Sequence, residues 1–404
     1  MSLTKVSYSM VTGAPANVLD FGADLTGVDD STAAINAALA ASDIVYMPPG
    51  IYKTTASINV GAQQQLYGAS GETKIYSNLS SGVAAIVVGN PANNVLSYGC
   101  VVRDMTISPQ VDNTVGIQMY SLVNGVFSNI QIQPYDVVTN TTGFIFDGGA
   151  SGFFNLFENL LCNHCHIGFK VTTTGASYPT CQTFINFACG GDLIYGDTTS
   201  IGLLFENVAT ASCGFDSVIV GGNVEQCGTG VSIVDFNSLN FTGLRFEQNT
   251  VDILGSGATR FCNFISCKYI EAVSGLSYQN GYGQNTFFSC NGVYGSVNRQ
   301  EATNIIYSKG AAEIPLTVTG FTGQTAPIQE WKEANGTVVA AIEGGALRIN
   351  QSAKTVGANE ISIGSITATT VGAAGGASAL PATPLGYLII NVAGTNVKIP
   401  YYTS

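Results

Sequence analysis

Apolar and polar residues alternate along most of this chain in short runs, each closed by Gly or Asn. Between about Val101 and Phe288 the runs have strand length, as in Met105-Thr-Ile107, Val126-Phe-Ser-Asn-Ile130, Gly143-Phe-Ile-Phe146 and Ile167-Gly-Phe-Lys-Val171. Few stretches carry a helical period. A unit of this kind cannot bury its own apolar side, so successive units must stack into a continuous core. The pattern predicts an all-β solenoid with Phe and Ile in interior ladders. Outward positions on successive coils then lie about 4.8 Å apart, the ordinary interstrand distance.

The pattern differs near the start. From Asn17 to Leu39 it reads as a short strand, a glycine turn and a helix, and Ile44 to Tyr52 as a second strand broken by Pro48-Pro-Gly50. Asp29, Asp30, Ser31 and Thr32 sit where side chains accept the orphan N–H groups of a helix, and Ile35 and Leu39 then share one face. This predicts a short N-terminal helix capping the solenoid. Capping also explains the Asp29–Asp30 pair better than catalysis does.

The C-terminal part changes character. Pro315 to Trp331 and Thr337 to Ile342 alternate like paired strands joined by an Asn335-Gly336 turn. Gly364 to Gly386 is rich in Gly, Ala, Ser, Thr and Pro and reads as linker or extended chain. Gly386 to Tyr402 reads as a hairpin around Ala393-Gly-Thr-Asn396. An isolated hairpin is marginal, so this one should dock on copies of itself.

Composition narrows the function. A chain of 404 residues suggests about two to four domains. Charged residues are only 10%, and Lys+Arg 14 against Asp+Glu 26 gives a net charge of −12. That balance disfavours nucleic acid and anionic membranes, which call for basic patches. Met1 to Met10 lacks the apolar core of a signal peptide and no segment has membrane-span length, so synthesis and folding in a cytoplasm are expected. The ten cysteines are scattered singly through apolar runs and read as buried free thiols. Cys162-Asn-His-Cys165-His166 has the haem-attachment spacing but no export signal, and the chain's two histidines are too few for a convincing zinc site. No cofactor or metal is indicated.

One alignment carries chemistry. Asn223-Val-Glu225, Arg245-Phe-Glu247 and Tyr269-Ile-Glu271 recur at steps of 22 and 24 residues. With Val224, Phe246 and Ile270 inward, alternation puts Asn223, Arg245 and Tyr269 in one outward column and the three glutamates in the next. Stacked like charges are unfavourable by up to about 1 kcal/mol, so the column needs compensation, from Arg245 and Lys268, or a purpose. The purpose would be glycosidic cleavage, with one glutamate as general acid and another as base or nucleophile. Adjacent coils approach the roughly 5 Å of retaining enzymes, and Glu225 with Glu271 the roughly 6.5–9.5 Å of inverting ones. The competing reading is a solvated ion-pair ladder or a subunit contact. Glu158 and Glu206, both in Phe-Glu-Asn, look like earlier members of the column. Tyr278 and Tyr282, with Tyr294 and Tyr307, lie among Gly and Asn and offer either flat faces for sugars or a cover for the last coil.

Asp20-Phe-Gly-Ala23, then Asp29-Asp30, then Pro48-Pro-Gly-Ile-Tyr52 resemble the opening of the pectate-lyase-like, right-handed parallel β-helix of bacteriophage tailspikes, with Ser31-Thr32 in place of a lone threonine. Pro315-Leu-Thr-Val, Gly323-Gln-Thr-Ala326 with Trp331, and the Lys398-Ile-Pro-Tyr-Tyr402 ending are similar to phage tail-fibre segments. The resemblance implies a virion protein made in the host cytoplasm, a homotrimer that binds host surface polysaccharide (O-antigen or capsule) and often depolymerises it. It divides the chain into a virion-attachment peptide at 1–16 that meets a tail or baseplate protein, the β-helix with its entry cap at 17–300, a β connector at 301–345 and a small β trimerisation or tip segment at 346–404. The resemblance does not identify catalytic residues. Hydrolysis by Glu225, Glu247 and Glu271 is the leading expectation, with Asn223, Arg245, Tyr269, Tyr278 and Tyr282 binding substrate. A polysaccharide lyase, a non-catalytic adhesin, a purely structural fibre and a bacterial polygalacturonase or pectate lyase are the alternatives. The last would be expected to carry an export signal and a Gly-His-Gly segment, and neither is found.

Overall fold

A computed structural model describes residues 13–92, 94–135, 139–175, 179–191, 197–208, 216–256, 259, 261–270, 273–274, 286–288 and 290, then 329–332, 338–343, 346–349, 383–392 and 395–401. The chain divides into two compact units, Met1–Asn304 and Ile305–Ser404. The first is the parallel β-helix expected from the alternating runs. A typical coil runs through Leu122–Val123, Val126–Ile132 and Thr142–Asp147, and the next repeats it as Gly152–Phe153, Leu156–Asn163 and Ile167–Thr173. Each strand pairs in parallel with its equivalent on the next coil, which builds sheets of 15, 9 and 4 strands among the described residues.

The long strands bend at one left-handed residue. Asp104, Asn129, Asn159 and Asn186 occupy that position on four successive coils, with φ of 61°, 54°, 51° and 56°. Short polar side chains tolerate this conformation best, and here they also bond one another. Asn129 Nδ2 donates to Asp104 (2.8 Å), Asn159 Nδ2 to Asn129 (3.0 Å) and Asn186 Nδ2 to Asn159 (2.9 Å). The bend turns the two halves of each strand to different outward surfaces, and the candidate site lies on the half that follows it.

Inside, in-register phenylalanines form the expected ladders. Phe127, Phe157 and Phe184 stack at centroid separations of 5.5 and 4.7 Å, Phe144 and Phe169 at 5.4 Å, and Phe241 and Phe264 at 4.7 Å. The nine cysteines among the described residues are free thiols, seven of them buried. Cys162 and Cys189 pair in register inside the solenoid, and both thiols are pushed well above the usual range, Cys162 by desolvation and then the Cys165 thiol, Cys189 by its hydrogen bond with Cys227 and then desolvation. In the Cys162-Asn-His-Cys-His segment, Cys162 Sγ donates to the Gly168 carbonyl and Cys165 Sγ lies against the Asn163 carbonyl. Both thiols are thus part of the core.

The entry helix spans Thr32–Ala41 and buries Ile35 and Leu39 as expected. Its capping differs from the sequence reading. Ser31 is the N-cap residue but makes no side-chain cap; its hydroxyl bonds the backbone of Asp24 instead. Asp30 accepts from Thr32 N at 3.0 Å and Thr32 Oγ1 at 2.6 Å, while Asp29 donates its N–H to Asp24. In the second unit, Gln329–Lys332, Val338–Glu343 and Ala346–Ile349 form an antiparallel sheet, and Gly386–Val392 pairs antiparallel with Thr395–Tyr401. Among the described residues no helix is long and apolar enough to cross a membrane.

Candidate functional site

Two columns of outward side chains follow the bend. The first runs Gln131, Leu161, Ala188, Asn223, Arg245 and Lys268; the second runs Asn163, Gly190, Glu225 and Glu247. Phe187, Cys189, Val224 and Phe246 alternate with them and are at most 1% exposed. Period-two alternation is therefore what turns the glutamates outward.

Glu225 and Glu247 are direct partners on adjacent parallel strands, Ser217–Glu225 and Arg245–Glu247. Their backbones are about 4.8 Å apart, as for any neighbouring strands. Each carboxylate is held by the residue two positions before it. Asn223 Nδ2 donates to Glu225 Oε2 at 2.9 Å, and the Arg245 guanidinium meets Glu247 Oε2 at 2.7 Å. The compensation expected for stacked like charges thus comes from Arg245 for one member and from a neutral amide for the other. The Arg245–Glu247 pair has side chains 47% and 38% exposed, so water screens it and it contributes only about 0–1 kcal/mol.

The third coil does not repeat the pattern. Arg245 faces Lys268, not Tyr269, so the first column continues Asn223, Arg245, Lys268. Tyr269 takes φ 60°, the left-handed turn conformation that Gln248, φ 57°, takes on the coil before. The strand on this coil therefore turns away immediately after Lys268, although Ile270 is buried as expected, at 3% exposure. Tyr269 is displaced sideways and is 55% exposed, with the Arg245 guanidinium 5.3 Å from its ring centroid. Glu271, Tyr278 and Tyr282 lie outside the described residues.

Glu158 and Glu206 do not belong to the glutamate column. Glu158 pairs in register with Ser128 and Ile185, on the half of the long sheet before the bend. Glu206 is on the second sheet, in register with Thr172 and Val234, and forms an ion pair with Lys170. The shared Phe-Glu-Asn is a coincidence of two different strands.

One polar pair outside the expected set borders the site. His166 Nδ1 and Asp197 Oδ2 are 2.7 Å apart, and Asp197 Oδ1 accepts from the Thr199 N–H and hydroxyl. Partial burial works to raise the Asp197 carboxyl's pKa, but the bonds from His166 and Thr199 outweigh it and the net direction is down. The backbone beside this pair packs on the turn after Glu225, where Gly228 N donates to Ser200 Oγ at 3.1 Å. Nothing in sequence links His166 to Asp197, 31 residues away, because the pairing depends on how two successive turns stack.

A family model described as rhamnogalacturonase A/epimerase, pectate lyase-like, matches residues 16–232. No curated protein sequence matches the chain. Among the solved structures to which the chain is similar at low identity are three examples. For ORF18 of Geobacillus virus E2 the identity is 15% and the TM-score 0.49, over 69% of this chain and 61% of that one. For the A-module of mannuronan C-5 epimerase AlgE4 of Azotobacter vinelandii the values are 15% and 0.41, over 70% and 99%. For full-length tailspike protein 2 from the Escherichia coli O157:H7 bacteriophage CAB120 they are 14% and 0.44, over 69% and 41%. The chain thus spans less than two thirds of the viral structures' length. Such identities carry no individual residue across.

Proposed function

The chain belongs to the rhamnogalacturonase A/epimerase, pectate-lyase-like family, and we propose that it is a phage tailspike that binds a bacterial surface polysaccharide, O-antigen or capsule, and hydrolyses its glycosidic bonds. The observation that carries the reading is the in-register, outward Glu225–Glu247 pair in a chain with only 10% charged residues. Two glutamates in register on neighbouring strands are unfavourable in a purely structural surface, whereas a pair of carboxyl groups is what glycosidic hydrolysis uses. Glu247, paired with Arg245, takes the role of nucleophile, and Glu225, its in-register neighbour, that of the acid which protonates the leaving oxygen. The interstrand separation of about 4.8 Å is close to the roughly 5–5.5 Å between carboxyls of retaining enzymes. Asn223, Arg245 and Tyr269 are proposed substrate contacts; Glu271, Tyr278 and Tyr282 remain proposed members from sequence. Trimerisation through residues 301–404 and attachment to the tail through residues 1–16 complete the proposal.

Glu247→Gln tests it. The variant should release no oligosaccharide from the host polysaccharide while binding it within about twofold of the parent, because the amide is isosteric and only the nucleophile is lost. Release at the parental rate removes Glu247 from the catalytic pair. Products absorbing as unsaturated uronates identify a lyase instead, and undiminished polymer length identifies an adhesin.

A further inference from the structure

Just below Glu225 the two outward columns are bare. Ala188 and Gly190 occupy them on strand Thr183–Gly190, between Leu161 and Asn163 on one coil and Asn223 and Glu225 on the other. The absence of a side chain at 190 has no packing reason. A Cβ there would meet nothing nearer than Asn163 Oδ1 at 3.7 Å. Glycines of the second sheet differ: a Cβ on Gly143, Gly168 or Gly202 would come within 2.5 Å or less of a core side chain. Nor does the turn require Gly190, since its φ lies outside the left-handed region and the tight approach to Gln226 falls on Gly191. Glycine in a strand weakens it by about 0.5–1 kcal/mol, and where neither bulge nor crowding explains it, close approach of a ligand does.

A second observation lies beside the gap. Asn223 is in register with Ala188, and while its Nδ2 is committed to Glu225, its Oδ1 is buried and has no hydrogen-bond partner among the described residues. A buried unpaired amide oxygen costs about 1–3 kcal/mol. A hydroxyl seated in the gap would relieve it once the amide turns toward Ala188, its in-register neighbour.

Resting on the reading of Glu225 and Glu247 as the carboxylate pair, the geometry points to the Ala188–Gly190 notch as the subsite that seats one neutral sugar ring against Glu225. Neutrality follows from the lining. Asn163 and Asn223 offer amides, Leu161 an apolar edge, and Glu225 a carboxyl, while Arg245 is engaged by Glu247 one coil further on. A uronate in the notch would find no cation in register to balance it, whereas hydroxyls meet amide and carboxyl groups on both flanks.

Gly190→Trp fills the notch with a large ring, and Gly190→Gln fills it with a smaller polar side chain. Both are to be measured against an array of purified bacterial surface polysaccharides, neutral and uronate-containing, with thermal unfolding as the check on folding. The parent should bind neutral members, and both variants should lose at least about tenfold in affinity with unfolding temperatures close to the parent's. Parental affinity in a folded variant, parental binding confined to uronate members, or no binding to any member overturns the inference. Oligosaccharide release by Glu247→Gln is read separately, so the catalytic assignment can fail while the subsite stands, and the reverse.

Discussion

Asp24 organises the entry turn with one carboxylate. It accepts from the N–H groups of Thr26, Val28 and Asp29 and from the Thr26 hydroxyl, all at 2.7–2.9 Å. The Thr26 N–H, then the Asp29 N–H and the Thr26 hydroxyl, hold its pKa down at about 2 against an ordinary 3.8. A carboxyl depressed in the folded state stabilises it above the unfolded pKa, and that stability is lost as pH falls from about 4 through about 2. Asp24→Asn should therefore unfold at lower temperature than the parent at pH 7, and the gap should narrow between about pH 4 and pH 2. A gap independent of pH in parallel thermal melts would show that the charge does not matter. The thiols make a second expectation at the level of single side chains. Cys162, Cys165, Cys189 and Cys227 are buried, which keeps reagents from reaching their sulfurs, and the thiols of Cys162 and Cys189 are in addition pushed well above the usual range. Alkylation at pH 8 followed by peptide mass mapping should find these four unmodified in the native protein and fully modified in denaturant. Burial was legible for cysteines in apolar runs, such as Leu160-Leu-Cys162 and Phe187-Ala-Cys189, but not for Cys165 between His164 and His166; the Asp24 cluster was not legible, since nothing in sequence distinguishes a turn acceptor from any other aspartate.

The asparagine ladder joins four strands through one position, and its sequence signature is Phe-x-Asn before a further apolar residue: Phe127-Ser-Asn129, Phe157-Glu-Asn159 and Phe184-Ile-Asn186. Coils advance by 25, 30 and 27 residues along it. This irregular step is why Phe205-Glu-Asn207 deceives: it is an equally good match, yet it ends a strand of the second sheet, where Asn207 accepts from Thr173 Oγ1 at 2.7 Å. The same irregularity explains the partial success at the glutamates. Glu225 and Glu247 were legible because both strands keep Val224 and Phe246 inward without interruption. Tyr269 was not, because a left-handed turn residue arrives early on its coil, and alternation cannot signal where a strand stops. Asn159 both adopts the left-handed conformation and bonds in two directions. Asn159→Ala should cost about 2 kcal/mol or more, summing a strained φ of about 1–2 kcal/mol with the lost bonds. Asn159→Gly keeps the bond losses and relieves the strain, so chemical denaturation should rank Ala below Gly; the opposite order would place the ladder's value in side-chain bulk instead.

Stacked coils make stability a property of neighbours. Each coil supplies the floor for the next, so a local defect should loosen its own surroundings before it unfolds the solenoid. Phe157 is the place to test this, being 1% exposed and within 4.7–5.9 Å, centroid to centroid, of Phe127, Phe146, Phe169 and Phe184. These rings belong to the coil before, its own coil and the coil after. Phe157→Ala removes the shared partner and leaves a cavity that close-packed strands cannot collapse into, at a cost of about 3–5 kcal/mol. A one-dimensional stack confines that loss. Hydrogen exchange should quicken first in Val126–Ile132, Leu156–Asn163 and Thr183–Gly190, while Ile58–Val60 and Thr73–Ser77, several coils away, keep parental protection until global unfolding. Because Thr183–Gly190 carries the notch and pairs with the strand bearing Glu225, binding of polysaccharide should weaken in the same variant although no side chain of the site has been touched. Uniform loss of protection along the solenoid would mean that the coils fold as one indivisible unit, and unchanged exchange next to position 157 would mean that the phenylalanine ladder is not what holds them together.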